Sequence, residues 1–211
     1  MIRILFVCHG NICRSPMAEF VMKDIVNKQG LSESFHIESG ATSTEEIWHG
    51  VGNPVYPPAK EKLRQQGIGT KENALGVGQK RARQTTKADY DRFDFIIGMD
   101  SANMRNMSRI YGGDSDGKLY KMLDFADISE KRHGMDVADP WYTGNFDATW
   151  EDVSLGCHSL FRYILTQPEY VQKLYSEEKN HSANAKESGY DSEIEYCKDD
   201  SVLIHDDFPK G

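Results

Sequence analysis

No apolar run in this 211-residue chain approaches the roughly 20 residues that a bilayer-spanning helix needs. The N-terminal segment also lacks the longer apolar region of a secretion signal, so neither a membrane role nor export by that route is expected. Cysteine is scarce. Cys8, Cys13, Cys157 and Cys197 are too few for a disulfide framework in a chain this long, which favours a reducing, cytoplasmic setting. The seven histidines show no paired ligand spacing, which argues against a metal centre. Basic charge is short as well: 25 Lys and Arg stand against 33 Asp and Glu, and a formal net charge of −8 excludes the basic footprint of a generic nucleic-acid binder. A monomer is the default expectation.

What is present concentrates near the N-terminus. Ile4-Leu5-Phe6-Val7 predicts a buried strand. Ser15-Pro16 predicts a helix start, with serine as the N-cap and proline at the first helical position. Between them runs Cys8-His9-Gly10-Asn11-Ile12-Cys13-Arg14-Ser15, a strand-to-helix loop whose backbone N–H groups can turn inward around a phosphate. Inward N–H groups, a helix N-terminus and Arg14 all favour the thiolate of Cys8, the nucleophilic form. Arg14, six positions on, can fold its planar fork over the anion with two parallel hydrogen bonds. Gly10 allows close backbone approach, and Asn11 tolerates left-handed angles and can brace the loop. Ser15 can donate its hydroxyl to the Cys8 sulfur. A structural turn around a buried cysteine would not explain why strand, Gly-Asn and helix start all agree.

Downstream, Met17, Phe20, Val21 and Ile25 share a helical face, and Phe35 to Ser39 alternates as a second strand. Residues 40–58 read as loop, with Trp48 either covering core or standing as an aromatic wall beside the phosphate loop. Ala59 to Gly67 predicts a helix, and Thr86 to Tyr90 a short capped one. Phe93 to Met99 predicts a further buried strand, Asp100-Ser101 caps a helix running to Tyr111, and Leu119 to Leu123 offers a fourth strand. Phe146 to Thr166 predicts a long amphipathic helix holding Cys157 as an inert buried thiol. The expected fold is α/β: a three-layer, doubly wound arrangement with a central parallel four-stranded sheet flanked by helices, over residues 1–167. An acidic C-terminal extension follows over 168–211; from Ser176 on, ten acids face four lysines. It is either mobile or docked through Tyr196 and Val202-Leu203-Ile204.

A second stretch carries chemistry. Displacing an oxygen leaving group from phosphorus needs a proton donor, and Asp139 of Asp139-Pro140-Trp141-Tyr142 can supply one and then deprotonate water. Pro140 restricts the backbone there, and Trp141 and Tyr142 can line the pocket mouth. Alone this reads as an ordinary Asp-Pro turn with two packing aromatics; the N-terminal loop, together with the resemblance given next, favours the acid.

The loop resembles the signature of the low-molecular-weight protein tyrosine phosphatase family, Cys-x5-Arg-Ser with Gly-Asn and a second Cys inside. The resemblance covers roughly residues 1–166 and includes an Asp-Pro-aromatic-aromatic acid loop. It implies hydrolysis of phosphotyrosine in proteins through a cysteinyl-phosphate, with Cys8 as nucleophile, Arg14 on the phosphate, Asp139 as acid and base, and no metal or cofactor. It also implies that Ser39 hydrogen-bonds Asn11, and that Ile47 or Trp48 faces the substrate. It sets a histidine where this chain has Lys80. Cys13 is implied as a redox partner of Cys8, the alternative being a thiol that merely packs behind the loop. An arginine phosphatase of this family would resemble its branch in carrying threonine at Ile12. An arsenate reductase would need further cysteines between Cys13 and Cys157. A non-catalytic phosphate-binding module would lack Cys8 or Asp139.

Overall fold

The apolar run after Met1 forms strand β1 (Ile2–Cys8), the centre of the molecule. Its side chains alternate. Ile2, Ile4, Phe6 and Cys8 enter one hydrophobic cluster, while Leu5 and Val7 enter a second on the opposite face of the sheet. A strand buried on both faces needs covering on both, which is why its sequence is almost unbroken apolar. In the computed structural model, which describes residues 1–174, β1 pairs in parallel with β2 (Phe35–Ala41) on one side and β5 (Phe95–Gly98) on the other. β6 (Leu119–Lys121) extends the sheet beyond β5, giving the order β2-β1-β5-β6, all parallel. The acidic segment with Tyr196, Val202-Leu203-Ile204 and Cys197 lies outside the described residues.

Helices cover the two faces. α1 (Arg14–Lys28), α2 (Pro57–Gln65) and α6 (Phe146–Thr166) pack over the larger cluster; α3 (Lys87–Arg92) and α4 (Ser101–Tyr111) pack over the smaller one. Local signals set most boundaries. Asp100 accepts a 2.6 Å hydrogen bond from the Asn103 N–H and starts α4, and Gly112, left-handed at φ 83°, stops it. Asn145 caps α6 by accepting from Ala148 N–H. A helical stretch over 168–174 closes the described part: the Tyr170 ring packs, tilted, against Phe95 at 4.9 Å, and Leu174 is buried.

The start of α1 differs from expectation. The helix begins at Arg14, so Ser15 is not its N-cap and Pro16 is not its first residue. The Ser15 hydroxyl is engaged with the Cys8 sulfur instead, and Cys13 occupies the cap position without a side-chain bond.

The region read as loop after β2 holds a small antiparallel hairpin, β3 (Ile47–Trp48) with β4 (Val51–Gly52). It is tied to the 81–84 segment by the Ala82 N–H to Asn53 carbonyl bond of 2.8 Å. The fit is close: a Cβ added at Gly52 would lie 1.8 Å from the Ala82 carbonyl oxygen. Backbone cannot yield as a side chain can, so Gly52→Ala is expected to cost ~1–3 kcal/mol of stability. Urea unfolding checks this, as a lower midpoint at unchanged m-value.

Candidate active site

β1 lies between a neighbour reached first, β2, and one reached later on its other side, β5. The chain therefore changes direction at the C-terminal end of β1, which is where open parallel sheets form a binding crevice. Cys8 is the last residue of β1, and the loop from it to Arg14 fills that crevice.

Neighbouring backbone takes up the loop's carbonyls: Thr42 N–H donates to Cys8, Ser43 N–H to His9 and Tyr56 N–H to Ile12, at 2.9–3.0 Å. The Asn11 N–H turns inward, 3.3 Å from Cys8 Sγ. Asn11 is left-handed at φ 57°, and its amide holds it there. Nδ2 donates to Ser39 Oγ at 2.7 Å and to Ser15 Oγ at 3.0 Å, while Oδ1 accepts from the Arg83 N–H at 3.1 Å. Ser15 Oγ in turn donates to Cys8 Sγ at 3.0 Å. Two donors thus converge on a buried sulfur. Lys80 enters this network from below, with Nζ 3.0 Å from the Ser39 carbonyl and 2.8 Å from Glu19 Oε2.

Arg14 is 3% exposed and spans two carboxylates. Nη1 lies 2.6 Å from Asp100 Oδ2, two residues beyond β5, and Nη2 lies 2.5 Å from Asp139 Oδ2. Burial works against its charge, but Cys8, Asp139 and Asp100 outweigh burial and raise its pKa further. Asp139 caps the short helix α5 (Pro140–Thr143), accepting from the Trp141 N–H at 3.0 Å. Arg14 and Asp139, read from the sequence as anion clamp and proton carrier, therefore meet directly, and Cys8, read as nucleophile, lies within electrostatic reach of the same guanidinium. Cys13 is different. Burial, then the negative charges of Cys8 and Asp139, push its thiol up to about 12, so it stays protonated. It is a free cysteine, as are Cys8 and Cys157.

Trp141 is 61% exposed and meets the Tyr56 ring edge-on at 5.8 Å, and Tyr56 stacks on Phe146. Tyr142 is 85% exposed. Of the two hairpin residues, Ile47 packs against the core cluster that holds Cys8 and Ile12, while Trp48 is 64% exposed. At the rim, His9 Nε2 lies 2.9 Å from Glu45 Oε2, and Glu46 leans over Gly10, where an added Cβ would meet its Cγ at 3.0 Å. Sequence reasoning did not find Asp100, Glu19 or Tyr56. Asp100 left a signal only as a helix cap, and Glu19 only as a carboxylate on the largely buried α1. Among the described residues no group of three His, Cys, Asp or Glu is arranged to hold a metal ion, and no helix is long and apolar enough to cross a membrane.

The family model for low molecular weight phosphotyrosine protein phosphatase matches residues 3–174. The chain is 37% identical over 164 residues to the low molecular weight protein-tyrosine-phosphatase YfkJ of Bacillus subtilis, covering 78% of this chain and 96% of that one. The crystal structure of YfkJ superposes with a TM-score of 0.67 at 35% identity, covering 80% and 97% of the two chains. A low molecular weight phosphotyrosine protein phosphatase of Schizosaccharomyces pombe is 39% identical over 145 residues, 68% of this chain and 83% of its own. A Drosophila arginine phosphatase shares the fold, with a TM-score of 0.64 at 23% identity over 78% and 98% of the chains.

Proposed function

The chain belongs to the low molecular weight phosphotyrosine protein phosphatase family, and from that premise we propose that it hydrolyses phosphotyrosine in proteins through a phosphorylated Cys8. The single observation that carries the reading is the Arg14 guanidinium, buried, bonded to both Asp100 and Asp139 and within electrostatic reach of Cys8. The phosphoryl group settles on the loop N–H groups with its oxygens on Arg14. Asp100 keeps one edge of the guanidinium in place, and Asp139 gives up the other edge to the substrate. Cys8 Sγ attacks phosphorus, the bond to the phenolic oxygen breaks, and Asp139 delivers a proton to that oxygen. Water then attacks the cysteinyl-phosphate, Asp139 takes its proton, and the thiolate leaves. The charge on the equatorial oxygens is met by donors already in place.

Substrate choice follows the walls. Ile12, Tyr56 and Trp141 offer apolar and aromatic surface to a phenyl ring. A nucleophile at the base of the loop suits a long planar side chain. A reducing compartment such as the cytoplasm keeps the Cys8 thiol usable.

The test is turnover of a phosphotyrosine peptide, of phosphoarginine and, with a dithiol reductant present, of arsenate by the full chain in EDTA. Phosphotyrosine is expected to be consumed fastest. Faster turnover of phosphoarginine would replace this reading with the arginine one, and inactivity on all phosphoryl substrates would end it.

A further inference from the structure

We propose that the buried Glu19–Lys80 ion pair is a positioning device, which orders a chain of hydrogen bonds so that its last hydrogen points at the Cys8 sulfur. The chain runs from Glu19 Oε2 to Ser39 Oγ at 2.6 Å, to Asn11 Nδ2 at 2.7 Å, to Ser15 Oγ at 3.0 Å and to Cys8 Sγ at 3.0 Å.

Each hydroxyl in it has one hydrogen to give, so direction matters. Two groups fix that direction. The Arg83 N–H can only donate, and at 3.1 Å it draws the Asn11 oxygen to itself and leaves the amide hydrogens for Ser39 and Ser15. An ionised Glu19 can only accept, so it takes the Ser39 hydrogen and leaves the Ser39 oxygen open to Asn11. With the Asn11 amide donating to Ser15 Oγ, the Ser15 hydrogen goes to the sulfur; the rival acceptor, the Gly40 carbonyl, is farther at 3.4 Å.

The arrangement needs Glu19 charged although it is 3% exposed. Burial favours its neutral form, but Lys80 at 2.8 Å and Lys23 at 2.5 Å outweigh burial and hold its pKa below the usual carboxylate range. Lys80 also grips the Ser39 carbonyl, so the same ammonium fixes both the anion and the serine it orients. A charged terminus polarises the bonds that follow it.

The inference rests on the proposed function only in taking Cys8 as the nucleophile, and its readout is independent of turnover. Iodoacetamide alkylation of Cys8, located by peptide mass mapping, is measured at pH 6 and pH 9 for wild type, Glu19→Gln, Lys80→Met and Lys80→Arg; the ratio of the two rates cancels changes in access. The ratio of the pH 6 rate to the pH 9 rate is expected to fall severalfold, up to about tenfold, in Glu19→Gln and Lys80→Met, as for one hydrogen bond to the anion lost, and to stay near wild type in Lys80→Arg. If a single variant does not fold, the double variant Glu19→Gln/Lys80→Met, which leaves no unpaired Glu19 or Lys80 charge, decides in its place. Cooperatively folded variants with ratios within twofold of wild type, or above it, overturn the proposal and leave the pair a purely structural one. A wild type that turns over no phosphotyrosine peptide would end the functional reading while the alkylation ratios still decide this one.

Discussion

Cys8→Ser is expected to lower hydrolysis of an aryl phosphate by a factor on the order of 10⁶, the size seen when a nucleophile is removed from a preorganised site. The fold should not change, because the substitution is near-isosteric and the Asn11 N–H and Ser15 hydroxyl keep an acceptor to bond. What changes is charge and leaving ability. A serine hydroxyl is neutral at working pH, and the reading lets no side chain act as base toward it, since Asp139 enters the first step as an acid. Inorganic phosphate is expected to bind at least as tightly as to wild type, because an anion at the base of the cradle has been replaced by a neutral group. Rapid-quench turnover together with calorimetric phosphate titration separates the two effects. A variant that hydrolyses at the wild-type rate would remove Cys8 from the mechanism; one that loses phosphate binding along with turnover would point to a collapsed loop.

Why these residues stand where they do was legible to different depths. β1, the caps of α4 and the span of α6 are written in neighbouring residues, so local patterns found them. Asp100 was visible only as the cap its Oδ1 makes; its Oδ2 holds Arg14, 86 positions away, and no local pattern carries that. Ser15 was misplaced as a cap for the same reason, since a bond to a sulfur seven residues back outcompetes the helix end for its hydroxyl. The Ile47–Trp48 hairpin is two residues a side, too short for alternation to show that Ile47 packs against the core and Trp48 stands exposed. Lys80, set against a family histidine, looked like a lost contact. Its longer side chain in fact reaches both Ser39 and Glu19.

Asp139→Asn is expected to separate binding from chemistry. Asparagine caps a helix as well as aspartate does, so α5 and the turn at Pro140 should persist. Loss of the proton donor should lower kcat for phosphotyrosine by about 10²–10⁴. The loss should shrink for an aryl phosphate whose phenol is acidic enough to leave unprotonated. Binding should move the other way. In the protein as it stands, Asp139 Oδ2 occupies Arg14 Nη2 at 2.5 Å, so an incoming phosphate competes with it for that edge of the guanidinium. A neutral amide competes poorly and no longer repels the dianion. Asp100 still anchors the opposite edge at 2.6 Å, so Arg14 stays aimed at the loop. Inorganic phosphate should therefore inhibit the variant at lower concentration than wild type. Paired measurements of kcat against leaving-group acidity and of phosphate inhibition check both halves. An unchanged kcat would mean that the proton comes from elsewhere. Weakened phosphate binding would mean that the carboxylate helps to aim Arg14 and does not compete for it.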